Sequence, residues 1–135
     1  MADYWKESPP ILREFLNYHE SILSHSAQTV DEYFLDLRGF FRYLKMTRNP
    51  DLADVPFQEI SILDVDLDFV SKTQLSEIYG FLTFLTGGGA FGKAESTTRA
   101  RKCASIRSFY NYLCVHARVM TADPTQALNN PKMRK

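Results

Sequence analysis

No stretch of this chain approaches the roughly 20 consecutive apolar residues that a membrane-spanning helix needs, although hydrophobic residues make up 44% of it. The N-terminal MADYWKESPP has neither a basic opening nor an apolar core. No secretory signal is therefore read, and a cytoplasmic protein with no membrane partner is expected. Cysteine is scarce. Cys103 and Cys114 are the only two and fall eleven residues apart on what reads as one helix, on the order of 16 Å at 1.5 Å per residue. A disulfide spans only about 4.4–6.8 Å between Cα atoms, so both are expected reduced and half-buried. His19, His25 and His116 are scattered and no Cys/His spacing fits a zinc site, so no metal or other cofactor is expected. Lys and Arg are missing altogether from Asn49 to Ser71. The acidic run DVDLD in that gap lacks the glycine and closing glutamate of a calcium loop and reads as a solvated connector. Gly87-Gly88-Gly89 has no Gly-Lys-Ser/Thr after it and no strand before it, which favours a hinge over 87–95 rather than a phosphate loop. No nucleophile–base pair or paired carboxylates stand out, which argues against an independent enzyme.

What is present is material for a helical core. At 135 residues, with 10 Phe and 7 Tyr, the chain suits one domain. Ser8-Pro9-Pro10 opens a first helix, with Ser8 as its cap and an apolar face of Ile11, Leu12, Phe15, Leu16, Ile22 and Leu23. A second helix begins after Ser24-His25-Ser26, lined by Val30, Phe34, Leu37, Phe41 and Leu44 and widened by Tyr33 and Phe40. Gly39 falls off that stripe and reads as a tolerated surface glycine. Residues 47–72 read as irregular, and alternation at Ile60, Ile62, Val65, Leu67 and Phe69 suggests a short extended piece. Thr73 is the expected cap of a third helix carrying Leu75, Ile78, Tyr79, Leu82 and Leu85, which ends at the glycines. Asp123-Pro124 is expected to open a short fifth helix at about 124–129. The fold expected is all-α, four principal helices plus a short fifth.

The fourth helix, 96–117, holds the most information. Cys103, Ile106, Tyr110, Leu113 and Ala117 recur at alternating steps of three and four and make its apolar stripe. The periodicity puts Arg101, Ser105, Ser108 and Tyr112 opposite, with Lys102 and Arg107 on the flanks. An apolar back with an Arg/Ser/Thr front suits a major groove, where small hydroxyls allow close approach and arginines reach phosphates or guanine edges. A solvated face on a core helix is the plain alternative. The formal net charge is zero, but it is divided: residues 1–95 carry 8 Lys+Arg against 15 Asp+Glu, and residues 96–135 carry 8 against Asp123 alone. The two parts come to −7 and +7. Such a chain can meet a polyanion with one end and stay soluble through the other.

Two segments resemble the N-terminal core-binding (SAM-like) domain of tyrosine recombinases, the phage-integrase family. Ser26, Thr29, Tyr33, Asp36, Leu37 and Phe40 match S-x-x-T-x-x-x-Y-x-x-D-L-x-x-F. Thr98, Arg101, Ile106, Arg107, Ser108, Phe109, Tyr112 and Leu113 are similar to T-x-x-R-x-L-S-A-L-R-S-F-F-x-Y-L, with Asp123-Pro124 where the family has Asn-Pro and an exit at Pro131-Lys132. The similarity spans about Pro9 to Lys132. It implies one DNA-binding domain, structured over about 9–130, with 131–135 starting a linker. Its partners would be double-stranded DNA, a catalytic domain of the same parent chain and other recombinase subunits on the DNA. That catalytic domain would carry the reactive tyrosine, so no strand cleavage is expected from this chain. The resemblance places Thr29 and Tyr33 of the second helix, and Thr98, Arg101 and Arg107 of the fourth, on the DNA side. Ser105 falls on the same front, and three or four of Arg99, Arg101, Lys102, Arg107 and Lys132 are expected to meet phosphates. Asp31, Glu32, Phe34 and Leu35 stand where the family often has basic residues, so Arg38, Arg42 and Lys45 would have to supply charge there. The rival reading is a helical protein–protein interaction module that does not bind DNA. A helix-turn-helix regulator fits poorly, because no two helices are joined by the required tight turn.

Overall fold

The computed structural model describes residues 4–87 and 96–128. All regular structure among them is helical, and no helix is long and apolar enough to cross a membrane. The chain packs as two compact units, Met1–Ser71 and Lys72–Lys135. The charge division tracks that boundary closely, with 6 Lys+Arg against 13 Asp+Glu in the first unit and 10 against 3 in the second.

The first unit opens with a single turn, α1 (Tyr4–Glu7), and then α2 (Pro10–Asn17). Proline at the first helical position loses no hydrogen bond, because that N–H has no partner within the helix. Pro9, not Ser8, occupies the cap position, and its carbonyl accepts from the N–H groups of Leu12 and Arg13, both at 3.0 Å. Ser8 is fully buried and its hydroxyl bonds no described residue. Leu12, Phe15 and Leu16 form the buried face. α2 then widens into one π-type turn, Tyr18–Ile22, closed by Leu23 N–H to the Tyr18 carbonyl at 3.1 Å. The extra residue rotates the end of the helix off the stripe, so Ile22 and Leu23 are 67% and 42% exposed rather than buried.

Ser26 caps α3 (Ala27–Arg48), its hydroxyl accepting from the Thr29 N–H at 3.1 Å. Val30, Phe34, Leu37, Phe40, Phe41 and Leu44 are fully buried, each contributing about 1.5–3 kcal/mol by leaving water. A Cβ on Gly39 would meet nothing within 4 Å, as a surface glycine should. The segment after α3 is more ordered than its composition suggests. Two 3-10 turns, Pro50–Leu52 and Phe57–Glu59, lead to Ile60, Ile62 and Val65, all buried, and to α4 (Leu67–Ser71). The expected extended piece does not form. Val65 N–H turns back to the Ile62 carbonyl at 3.1 Å, and Asp66 starts α4 by accepting from Phe69 N–H at 2.9 Å.

In the second unit α5 (Leu75–Thr86) begins one residue later than Thr73 would place it. Gln74 is at the cap, its N–H donating to the Glu77 carboxylate at 3.0 Å, and Thr73 is buried. The expected hinge at 87–95 lies, beyond Gly87, outside the described residues. α6 (Ser96–Asn111) continues through a second π-type turn, Tyr112–His116. The short helix expected at about 124–129 is a turn over 124–127. Asp123 accepts from the Thr125 N–H and hydroxyl at 2.8 and 2.6 Å, and Leu128 N–H closes on the Thr125 carbonyl at 3.0 Å. So few residues before the next proline cannot offset the cost of nucleating a helix. The all-α architecture with four principal helices is as expected, and its short helices are α1 and α4.

Candidate nucleic-acid interface

α6 buries Cys103, Ser105, Ile106, Phe109 and Tyr110, with Leu113 next in the wide turn. Four of these belong to the expected stripe. The other two, Phe109 and Ser105, broaden it by about one position per turn. Ser105 is only 3% exposed, which corrects its placement on the front: it lies one turn before Phe109 on the same face, and burying the ring takes the hydroxyl with it. The exposed side carries Thr97, Arg101, Ala104 and Asn111, flanked by half-exposed Thr98, Arg99, Lys102 and Ser108. Arg101 is thus the basic residue fully on the small-residue face. Tyr112 is half-buried. Arg107 lies at the edge and donates a guanidinium hydrogen bond to the Leu128 carbonyl, so its head fastens the C-terminal turn of its own unit. Lys132 lies outside the described residues. Both cysteines are free thiols. Burial pushes the Cys103 thiol up from its ordinary pKa, with Arg107 pulling back, and burial followed by Asp123 does the same to Cys114.

The cations of α3 are used differently. Arg38 binds the Glu7 carboxylate at 3.0 and 3.2 Å and lies 5.1 Å above the Phe34 ring. Arg42, 8% exposed, donates through Nε to the Ile60 carbonyl at 3.0 Å and stands 3.7 Å from Glu7. Burial and then the neighbouring Arg38 lower its pKa, against Glu7. Lys45 bonds the Asp64 carboxylate at 2.6 Å and the Ser61 carbonyl at 2.7 Å. Arg48 donates to the Phe69 carbonyl at 2.7 Å across the Phe69 ring. Positions 38, 42, 45 and 48 share one helix face, and that face binds α1 and the 60–69 segment. The expectation that Arg42, with Arg38 and Lys45, offers charge outward is corrected: this row of cations fastens its own unit. Thr29 is half-exposed at the cap, its hydroxyl 3.0 Å from that of Ser26. Tyr33 is half-buried, its ring edge-on to Phe15 at 5.4 Å and 4.5 Å from His19.

Sequence spacing also missed a pairing. The first wide turn brings His19 and His25 together, Nδ1 to Nδ1 at 2.9 Å. One ring must donate while the other accepts. Among the described residues no group of three or more His, Cys, Asp or Glu could hold a metal.

The chain is thus all-α, with an acidic unit, a basic unit and a small-residue helix face bearing an arginine. The comparisons with known proteins give it a family. It is 45% identical over 125 residues to tyrosine recombinase XerC of Caldanaerobacter subterraneus subsp. tengcongensis, covering 93% of this chain and 35% of that protein. The XerC protein of Myxococcus xanthus is 31% identical over 126 residues, covering 93% and 34%, and that of Listeria innocua 29% over 120, covering 89% and 32%. The chain belongs to the tyrosine recombinase family. It spans about a third of the length of the curated relatives it matches. No family model and no solved structure matches it.

Proposed function

We propose that this chain is the core-binding part of a site-specific tyrosine recombinase, gripping duplex DNA mainly through α6 while a separate catalytic domain of the parent protein performs strand exchange. In this reading the chain itself does not cleave DNA, and its other partners are recombinase subunits on the same duplex. The observation that carries it is the exposure of Arg101 on a face of Thr, Ala and Asn within the unit that holds the excess of positive charge. Guanidinium groups pair with phosphate or guanine in a bidentate fork, and small neighbours let a helix approach the groove closely.

Arg99, Arg101 and Lys102 supply the phosphate contacts within the described part, with Lys132 a further candidate. About three neutralised phosphates give a log–log salt slope near −3, from roughly −0.9 per phosphate. Without the catalytic half of the grip, affinity falls near the non-specific range of about 10⁻⁴–10⁻⁶ M. A fluorescence-anisotropy titration of labelled duplex at ~50 mM salt tests this. Salt-sensitive binding supports the reading. No binding at that salt would favour the protein-interaction module.

A further inference from the structure

We infer that Arg118 is an additional phosphate contact at the far end of α6, an inference that rests on the DNA-binding reading above. Its backbone φ is 55°, in the left-handed region that disfavours any side chain with a Cβ and suits glycine. The conformation is fixed from both sides. Ala117 N–H bonds the Tyr112 carbonyl at 2.8 Å, and Val119 N–H bonds the Leu113 carbonyl at 2.9 Å. A helix stop of this shape ordinarily takes glycine, yet the chain has arginine.

That arginine does nothing for the fold among the described residues. It is exposed, and it makes no hydrogen bond or ion pair there. The carbonyls that end the helix beside it, those of Tyr112 and Leu113, already accept backbone N–H groups. The carboxylate nearest in sequence, Asp123, accepts from the Thr125 N–H and hydroxyl. A long, exposed cation that the fold holds in place but bonds to nothing among the described residues is free to meet an external anion, and in the basic unit that anion is a DNA phosphate. Arg118 lies 17 residues past Arg101, about 25 Å at helical rise, so the two act independently and their losses add.

The test is a set of variants of the whole chain, R118G, R118N and R118K, measured for thermal stability and for duplex affinity across salt. Expected for R118G is a Tm higher by about 2–4 °C together with a salt slope flatter by about 0.9 and an affinity lower by about 5- to 10-fold at ~50 mM salt. R118N, neutral but tolerant of the left-handed region, should lose the same binding, and R118K should keep the slope. If the native chain binds duplex and R118G or R118N keeps its slope, the inference falls and the DNA reading stands. If the native chain does not bind duplex, both fall.

Discussion

The same helix ending occurs twice in this molecule, in different surroundings. Residues 18–25, YHESILSH, and 112–119, YLCVHARV, each widen the last turn of a helix and return an N–H to a tyrosine carbonyl five residues back. Each then places a non-glycine residue, Ser24 or Arg118, in the left-handed region, at φ 57° and 55°. In the acidic unit the stop is locked by side chains: His19 bonds His25 and packs edge-on to Phe15 at 4.5 Å. In the basic unit it projects an exposed arginine. Among the cations of the long helices, the four of α3 and Arg107 of α6 are bonded within their own unit, while Arg101 of α6 is exposed. The acidic unit uses the cations of its long helix to hold itself together, whereas the basic unit uses Arg107 that way and leaves Arg101 and Arg118 exposed.

The largest effect that sharpens this contrast is expected from Arg42→Ala. It leaves the buried Ile60 carbonyl without its charged donor, which costs about 2–3 kcal/mol. Urea unfolding should show the loss, while the salt dependence of DNA binding stays put. A milder result is expected at Lys45: its Asp64 partner is 75% exposed, so Lys45→Ala should cost no more than about 1 kcal/mol. His25→Ala removes the Nδ1–Nδ1 hydrogen bond of the buried His19 ring and should cost about 1–2 kcal/mol. Unchanged stability in that variant would mean that the backbone hydrogen bonds suffice to hold the first stop.

Much of this was legible in the sequence because it is local. Period-3.6 patterning found the four principal helices, and Ser26 caps α3 where its motif begins. What escaped is of two kinds. The one-residue widening of the two helix ends leaves no compositional trace, yet it exposes Ile22 and Leu23 and brings His19 to His25. The fate of the α3 cations depends on partners 16 to 31 residues away, which no window of one helix contains. Ser105 was misplaced for a smaller reason: the stripe was read as narrow, and Phe109 broadens it. Ser8 and Thr73 look like caps by residue type, but proline and the glutamine–glutamate pair take those positions one residue later.

Two smaller effects probe backbone conformation. Ser24→Gly should stabilise by about 1 kcal/mol, since glycine takes the left-handed region without a Cβ penalty. It should leave DNA binding unchanged, in contrast to the same substitution at Arg118. Gly39→Ala should stabilise by at most about 1 kcal/mol, because the new methyl meets open space. A loss at Gly39 in differential scanning calorimetry would mean that something approaches that face closely after all.

The most direct measurement compares three proteins, the native chain, Arg101→Ala and Arg42→Gln, in duplex binding across a salt series. If Arg101 meets a phosphate while Arg42 is engaged within its own unit, Arg101→Ala flattens the slope by about 0.9 with stability within about 0.5 kcal/mol of native. Arg42→Gln should lower stability and keep the slope. The reverse outcome, with the slope lost at Arg42 and kept at Arg101, would contradict the assignment of the DNA grip to α6.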